Sequence, residues 1–200
     1  MSFKQIYKDA AEGLSATFHS FSQSRLLASR PLDDPSRRGI CRALCLYEAH
    51  YAKGNRSREF KRDMPGLVDK ICSLQENISV QNSTTLSEAF AELYEKQAQN
   101  LGLTYIAQSH FVPDVYNWLQ GAAGYATRNP FYVQMVLPNH VVSVRPGAHG
   151  GVSFFDPNVG QISCPRAELF FLLHTIFNNP EISDAYQLTG APEVFLVYLA

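Results

Sequence analysis

The 200-residue chain lacks any apolar run near the roughly 18 residues that a membrane-crossing helix requires. None follows Lys4 and Lys8 either, so a cleaved signal peptide is not expected, and Ser2 stands where myristoylation needs glycine. Cysteine is scarce. The four, at positions 41, 45, 72 and 164, form no CxxC pair and no regular framework spacing, so they read as reduced thiols. Charge of one sign is missing too: 17 Lys and Arg against 18 Asp and Glu leave −1, which removes nucleic acid and anionic membrane as expected partners. Internal repeats and low-complexity tracts are absent, and no cofactor is expected. What the chain has in quantity is apolar surface. Hydrophobic residues make up 46% and aromatics 12%, enough at this length for a core that needs no staples.

Local patterning divides the chain into helices first and strands afterwards. Residues 1–35 read as an N-terminal helical arm, with Phe3, Ile6, Tyr7, Ala10, Ala11 and Leu14 loosely periodic. The Pro- and Asp-rich turn at 31–39 closes that arm. A helix is expected from Cys41 to about Lys53, stopped by Gly54-Asn55, and a second over 65–75 with Pro65 in its first turn. The basic cluster Lys53, Arg56, Arg58, Lys61 and Arg62 reads as a solvated face. Thr85 to Glu88 has the form of a capping box, opening a helix that ends near Gly102. A strand at 103–108 and a small helix at 113–120, holding Trp118, come next. From residue 131 the period changes: β-branched and aromatic runs at 131–137, 141–145 and 152–155 predict strands, the last two joined by a hairpin at 146–151. A short strand at 161–164, a helix over 165–178 and a last strand at 194–199 complete an α+β arrangement.

Chemistry concentrates at Gly39-Ile40-Cys41-Arg42-Ala43-Leu44. Cys41 falls at a helix N-terminus, where free backbone N–H groups and the macrodipole favour a thiolate. Such a nucleophile needs a proton partner. His50 lies on the same helix and cannot reach back; His19, His110, His149 and His174 have no local support. His140 opens a strand directly after Pro138-Asn139 and is the best candidate. Asp156, in Phe154-Phe155-Asp156-Pro157-Asn158-Val159-Gly160, ends the neighbouring strand, and a hairpin centred near residue 148 sets it beside His140. An aspartate there orients the imidazole and leaves its other nitrogen for the thiol. Two other readings remain open: a binding protein whose thiol is structural, and a metal site from Cys41, Cys45 and His140.

The Cys41 block, the strand-opening His140 and the Phe-Phe-Asp-Pro-Asn-x-Gly block together resemble the YopT/AvrPphB family of bacterial cysteine proteases, across about residues 36–165. The resemblance implies an α+β papain-like fold, with the nucleophile at a helix start packed against a C-terminal antiparallel sheet and a catalytic domain over 36–200. It implies Cys41 as nucleophile, His140 as general base and Asp156 as orienter, with no metal. The expected function is a secreted effector or toxin that cleaves a host protein, a small GTPase or a kinase, through a thioester, with a secretion chaperone as a further partner. The alternative is an acyltransferase or glutamine deamidase using the same three residues. One departure stands out: papain-like enzymes carry a Gln or Asn shortly before the nucleophile, and residues 33–38 contain neither, leaving Ser36 as the candidate second oxyanion donor.

Overall fold

The computed structural model describes residues 1–76, 86–111, 115–126, 132–190 and 193–200. Its helices are α1 (Phe3–Glu12), α2 (Gln23–Leu26), α3 (Cys41–Lys53), α4 (Ser57–Glu76), α5 (Leu86–Asn100), α6 (Val115–Ala126), α7 (Leu169–Phe177) and α8 (Pro180–Ala185). The strands are β1 (Thr17–Ser20), β2 (Tyr105–Phe111), β3 (Tyr132–Val136), β4 (Val141–Pro146), β5 (Val152–Asp156), β6 (Gly160–Cys164) and β7 (Val194–Leu199). They form one antiparallel sheet in the order β1-β6-β5-β4-β3-β7-β2. The fold is α+β, as the sequence indicates.

The sheet separates two cores. On one face α1, α6, α7 and α8 pack Tyr7, Leu119, Leu172 and Ile182 against Val133, Met135 and Phe154. On the other, α3, α4 and α5 pack Leu44, Ile71 and Tyr94 against Val136, Val141 and Phe155. Because helices cover both faces, β3, β5 and β7 are apolar or buried at nearly every position rather than alternating. Each fully buried Leu, Ile or Phe adds about 1.5–3 kcal/mol, so this double burial dominates the fold's stability.

Three expectations are corrected. The loose helix expected over the first 30 residues is interrupted: Ser2 caps α1, its hydroxyl accepting from the Gln5 N–H, but residues 17–20 extend as β1 on β6. Four residues at a sheet edge, mostly exposed, carry too little periodicity to announce a strand. Gly160 permits that pairing, since its φ is 150° and a Cβ there would run into the His19 carbonyl oxygen. Second, α4 begins at Ser57 and passes through Pro65. Phe60, Met64, Ile71 and Cys72 bury one stripe of it among the α3-side core residues, and that burial outweighs the proline's missing N–H. Third, the hairpin is centred one residue later than expected. Ser143 pairs with Phe155 and Arg145 with Ser153, which sets Val142 rather than His140 across from Asp156. The two-residue offset keeps the same face of the sheet, so His140 and Asp156 become diagonal neighbours and still meet. The capping box at 85–88 and the Trp118 side chain lie outside the described residues.

Candidate active site

The α3 helix starts at Cys41, where the sequence places it, and it starts without a side-chain cap of its own: Ile40, at the N-cap, has no such bond to give. Its free N–H groups are satisfied from elsewhere in the fold. Gln23 on α2 accepts from the Ile40 N–H at 2.9 Å, and Gln75 on α4 accepts from the Ala43 N–H at 3.1 Å. Cys41 is left partly accessible at the helix end while Ala43, Leu44, Cys45 and Leu46 behind it are buried.

His140 sits one residue before β4 and is buried. Its Nε2 lies 2.9 Å from Asp156 Oδ1, so the ring's other nitrogen is the one left for Cys41, whose thiol it influences electrostatically. Asp156 is wholly buried and collects four partners. The Asn158 N–H donates to Oδ1 at 2.8 Å, and the hydroxyls of Tyr7 and Tyr186 donate to Oδ2 at 2.5 and 2.8 Å. Tyr186 also stacks on the His140 ring, with centroids 4.5 Å apart. A buried carboxylate carries a heavy desolvation cost unless its oxygens are fully hydrogen-bonded, and here they are.

The electrostatics follow from that packing. Burial raises the Cys41 thiol, but the hydrogen bond and charge of His140, with backbone hydrogen bonds to Val141 and Arg42, bring it below the ordinary thiol value. Burial lowers His140, yet the charge and hydrogen bond of Asp156, together with Cys41, push it up to about 10. Asp156 is raised by burial and brought below its usual range by His140 and the two tyrosines. At neutral pH His140 is therefore an imidazolium held against the Asp156 carboxylate, and its charge draws the Cys41 thiol toward the thiolate. Cys45, one turn further on, is the opposite case: burial pushes its thiol well up, and its Sγ lies 3.6 Å from the Val141 carbonyl.

The other histidines lie elsewhere. His50 contacts the Leu101 carbonyl through Nδ1 at 2.6 Å, His19 and His174 are exposed on β1 and α7, and His149 occupies the hairpin turn at φ 53°. The side chain of His110 lies outside the described residues. Among the described residues no three His, Cys, Asp or Glu gather into a metal-holding group.

Ser36 is correctly placed near Cys41 in sequence but is spent. It is buried, and its hydroxyl donates to Asp34 Oδ1 at 2.6 Å within its own turn. A side-chain amide does lie beside this segment: Gln23, 17 residues before Ile40, accepts the Ile40 N–H. Its Nε2 donates one proton to Asn158 Oδ1 at 2.6 Å, and a Cβ on Gly39 would lie 3.8 Å from that nitrogen. Sequence reading also missed Tyr7 and Tyr186. Nothing local marks them, although a buried Tyr usually finds a partner for its hydroxyl.

A helix-start cysteine facing a histidine at the start of the central strand of an antiparallel sheet is a papain-like arrangement. No protein-family model and no curated protein matches the chain. Solved structures do. The Pseudomonas avirulence protein AvrPphB superimposes with a TM-score of 0.61 at 14% identity, over 82% of this chain and 94% of that one. PatoxP, a cysteine protease-like domain of the Photorhabdus asymbiotica toxin PaTox, gives 0.56 at 14% identity, over 96% of this chain and 57% of that one. The chain has the fold of these bacterial cysteine protease-like proteins, the group that the Cys41, His140 and Asp156 blocks resemble.

Proposed function

We propose that the protein is a papain-like cysteine protease with Cys41 as nucleophile, His140 as acid and base, and Asp156 as the group that orients His140. The observation that carries this reading is His140 set between the Cys41 thiol, which its charge draws down, and a carboxylate that holds His140 and three further donors. The Cys41 thiolate attacks a peptide carbonyl carbon, and the electrons of the C=O pass to oxygen. The backbone N–H of Cys41 is one donor for that oxyanion. The second is the remaining N–H of Gln23 Nε2, the side-chain amide held beside Gly39 and Ile40. Protonated His140 passes its proton to the leaving amine as the C–N bond breaks, giving a thioester. His140 then takes a proton from water, whose oxygen attacks the thioester and releases the acid and the thiolate.

The two structural neighbours, an avirulence protein and a toxin domain, support placing the chain among bacterial effectors delivered to another cell. Its substrate would then be a host protein, with small GTPases and kinases as the classes the sequence resemblance suggests. Residues 1–35 would complete the catalytic unit built on 36–200, since Tyr7, β1 and Gln23 lie within it, and a secretion chaperone would precede delivery.

The test is incubation with a proteome-derived peptide mixture in heavy-oxygen water, read by mass spectrometry. New C-termini carrying the heavy oxygen are expected, absent with Cys41→Ala and formed about 10²–10³ times more slowly with Gln23→Ala. Heavy-oxygen label on glutamine side chains would replace the protease reading with deamidation, and lysine adducts would replace it with acyl transfer.

A further inference from the structure

A trough beside the site has a chemistry of its own. Two cavities of about 550 Å³ each meet along the start of α1 and the β1–α2 turn. Phe3, Phe21, Lys4 and Arg25 line the first; Lys4 recurs in the second, where Lys8 joins it. Among the described residues no carboxylate lines either. Lys4 and Arg25 are exposed and have no carboxylate partner among the described residues, while Lys8 meets Glu12 at 3.4 Å on the solvent side. In a chain whose charge is −1 overall, three cations along one trough of serines and phenylalanines are a local departure.

The trough is also joined to the reacting residues. Asn158 lines its inner end, donates its backbone N–H to Asp156 and accepts the Gln23 amide. Phe3, on the opposite wall, packs edge-on against Tyr186 at 6.0 Å, and Tyr186 stacks on His140. The trough therefore touches the catalytic row through Asn158 and Phe3, without Cys41 or His140 in its walls.

We propose that this trough is a substrate subsite that takes an extended peptide segment in which acidic and apolar side chains alternate. In an extended segment successive side chains point to opposite sides. One set can enter the Phe3 and Phe21 wall while the other reaches Lys4, Lys8 and Arg25 at the rim. The proposal rests on the protease reading for what lies beyond the trough, but binding in the trough needs no chemistry.

The test uses Cys41→Ala protein and fluorescein-labelled peptides, one alternating Glu with Phe and Leu, the other with Lys replacing every Glu, followed by fluorescence anisotropy. The acidic peptide is expected to bind at least about tenfold more tightly. Adding Lys4→Glu and Arg25→Glu should remove that preference, and added salt should weaken it, because rim charges are screened. Both residues are exposed, so matched thermal melts and an unchanged rate of Cys41 alkylation in the otherwise wild-type protein are expected to show an intact fold. Equal affinity for the two peptides, or no effect of charge reversal, overturns the proposal. So does charge-dependent binding to phosphatidylcholine–phosphatidylserine vesicles without peptide binding, which would make the patch a membrane contact. Acidic-peptide binding without cleavage by the Cys41-intact protein sustains the subsite and overturns only the protease reading.

Discussion

Replacing His140 with alanine is expected to slow alkylation of Cys41 by iodoacetamide at neutral pH at least about tenfold and to lower peptide cleavage by about 10³-fold or more. The reason is the balance of opposing effects at the thiol. Burial alone would raise Cys41 above 9.0, and the imidazolium is the largest influence pulling it down. With the ring gone the burial remains, so the titration midpoint should pass above that of a free thiol rather than return to it. Thiolate ultraviolet absorbance followed across the neutral range reads this directly. A midpoint that stays low in His140→Ala would mean that the helix N-terminus and the Val141 and Arg42 backbone stabilise the thiolate without an ion pair. His140 itself should stay protonated in the wild-type protein until pH rises toward about 10, far above the ordinary histidine value of 6.5. Its contribution to stability is therefore complete below 6.5 and disappears as pH climbs through about 10.

Asp156 should be the costliest of the three to remove. Asp156→Ala leaves the hydroxyls of Tyr7 and Tyr186 and the Asn158 N–H without their acceptor, and a buried imidazolium without its counter-charge. Breaking a buried pair in this way costs about 3–5 kcal/mol, so a marked fall in Tm is expected. Asp156→Asn separates charge from shape. It keeps the side-chain volume and one acceptor oxygen but lets His140 fall back toward neutrality, so kcat should drop about 10²–10⁴-fold with a smaller loss of stability. The sign of the pH dependence distinguishes the charge from the packing. The folded Asp156 lies below its ordinary value of 3.8, so its contribution is present above 3.8 and is lost as pH falls through the folded value. The stability gap between wild type and Asp156→Asn should accordingly narrow in acid. A gap that stays constant down to acid pH would show that packing around Tyr7 and Tyr186, rather than the charge, holds the site together.

What the sequence determined by itself was local. The start and stop of α3 at Cys41 and Lys53 are readable because a helix is announced by nearby spacing and by the Gly54 turn, and both ends fall where that pattern puts them. The same holds for the hairpin that brings His140 and Asp156 to one side of the sheet: runs of β-branched residues separated by a Gly-rich turn admit few pairings, and the two-residue offset preserves the face. Tertiary packing alone decided the surroundings of those residues. Tyr7 reaches Asp156 across 149 positions and Tyr186 across 30, and Gln23 reaches the Ile40 N–H across 17. No spacing rule connects such residues, because their meeting depends on how α1 crosses the sheet and how α2 docks under Gly39. Periodicity reports which side of an element is buried; only the assembled fold decides which polar groups are buried together.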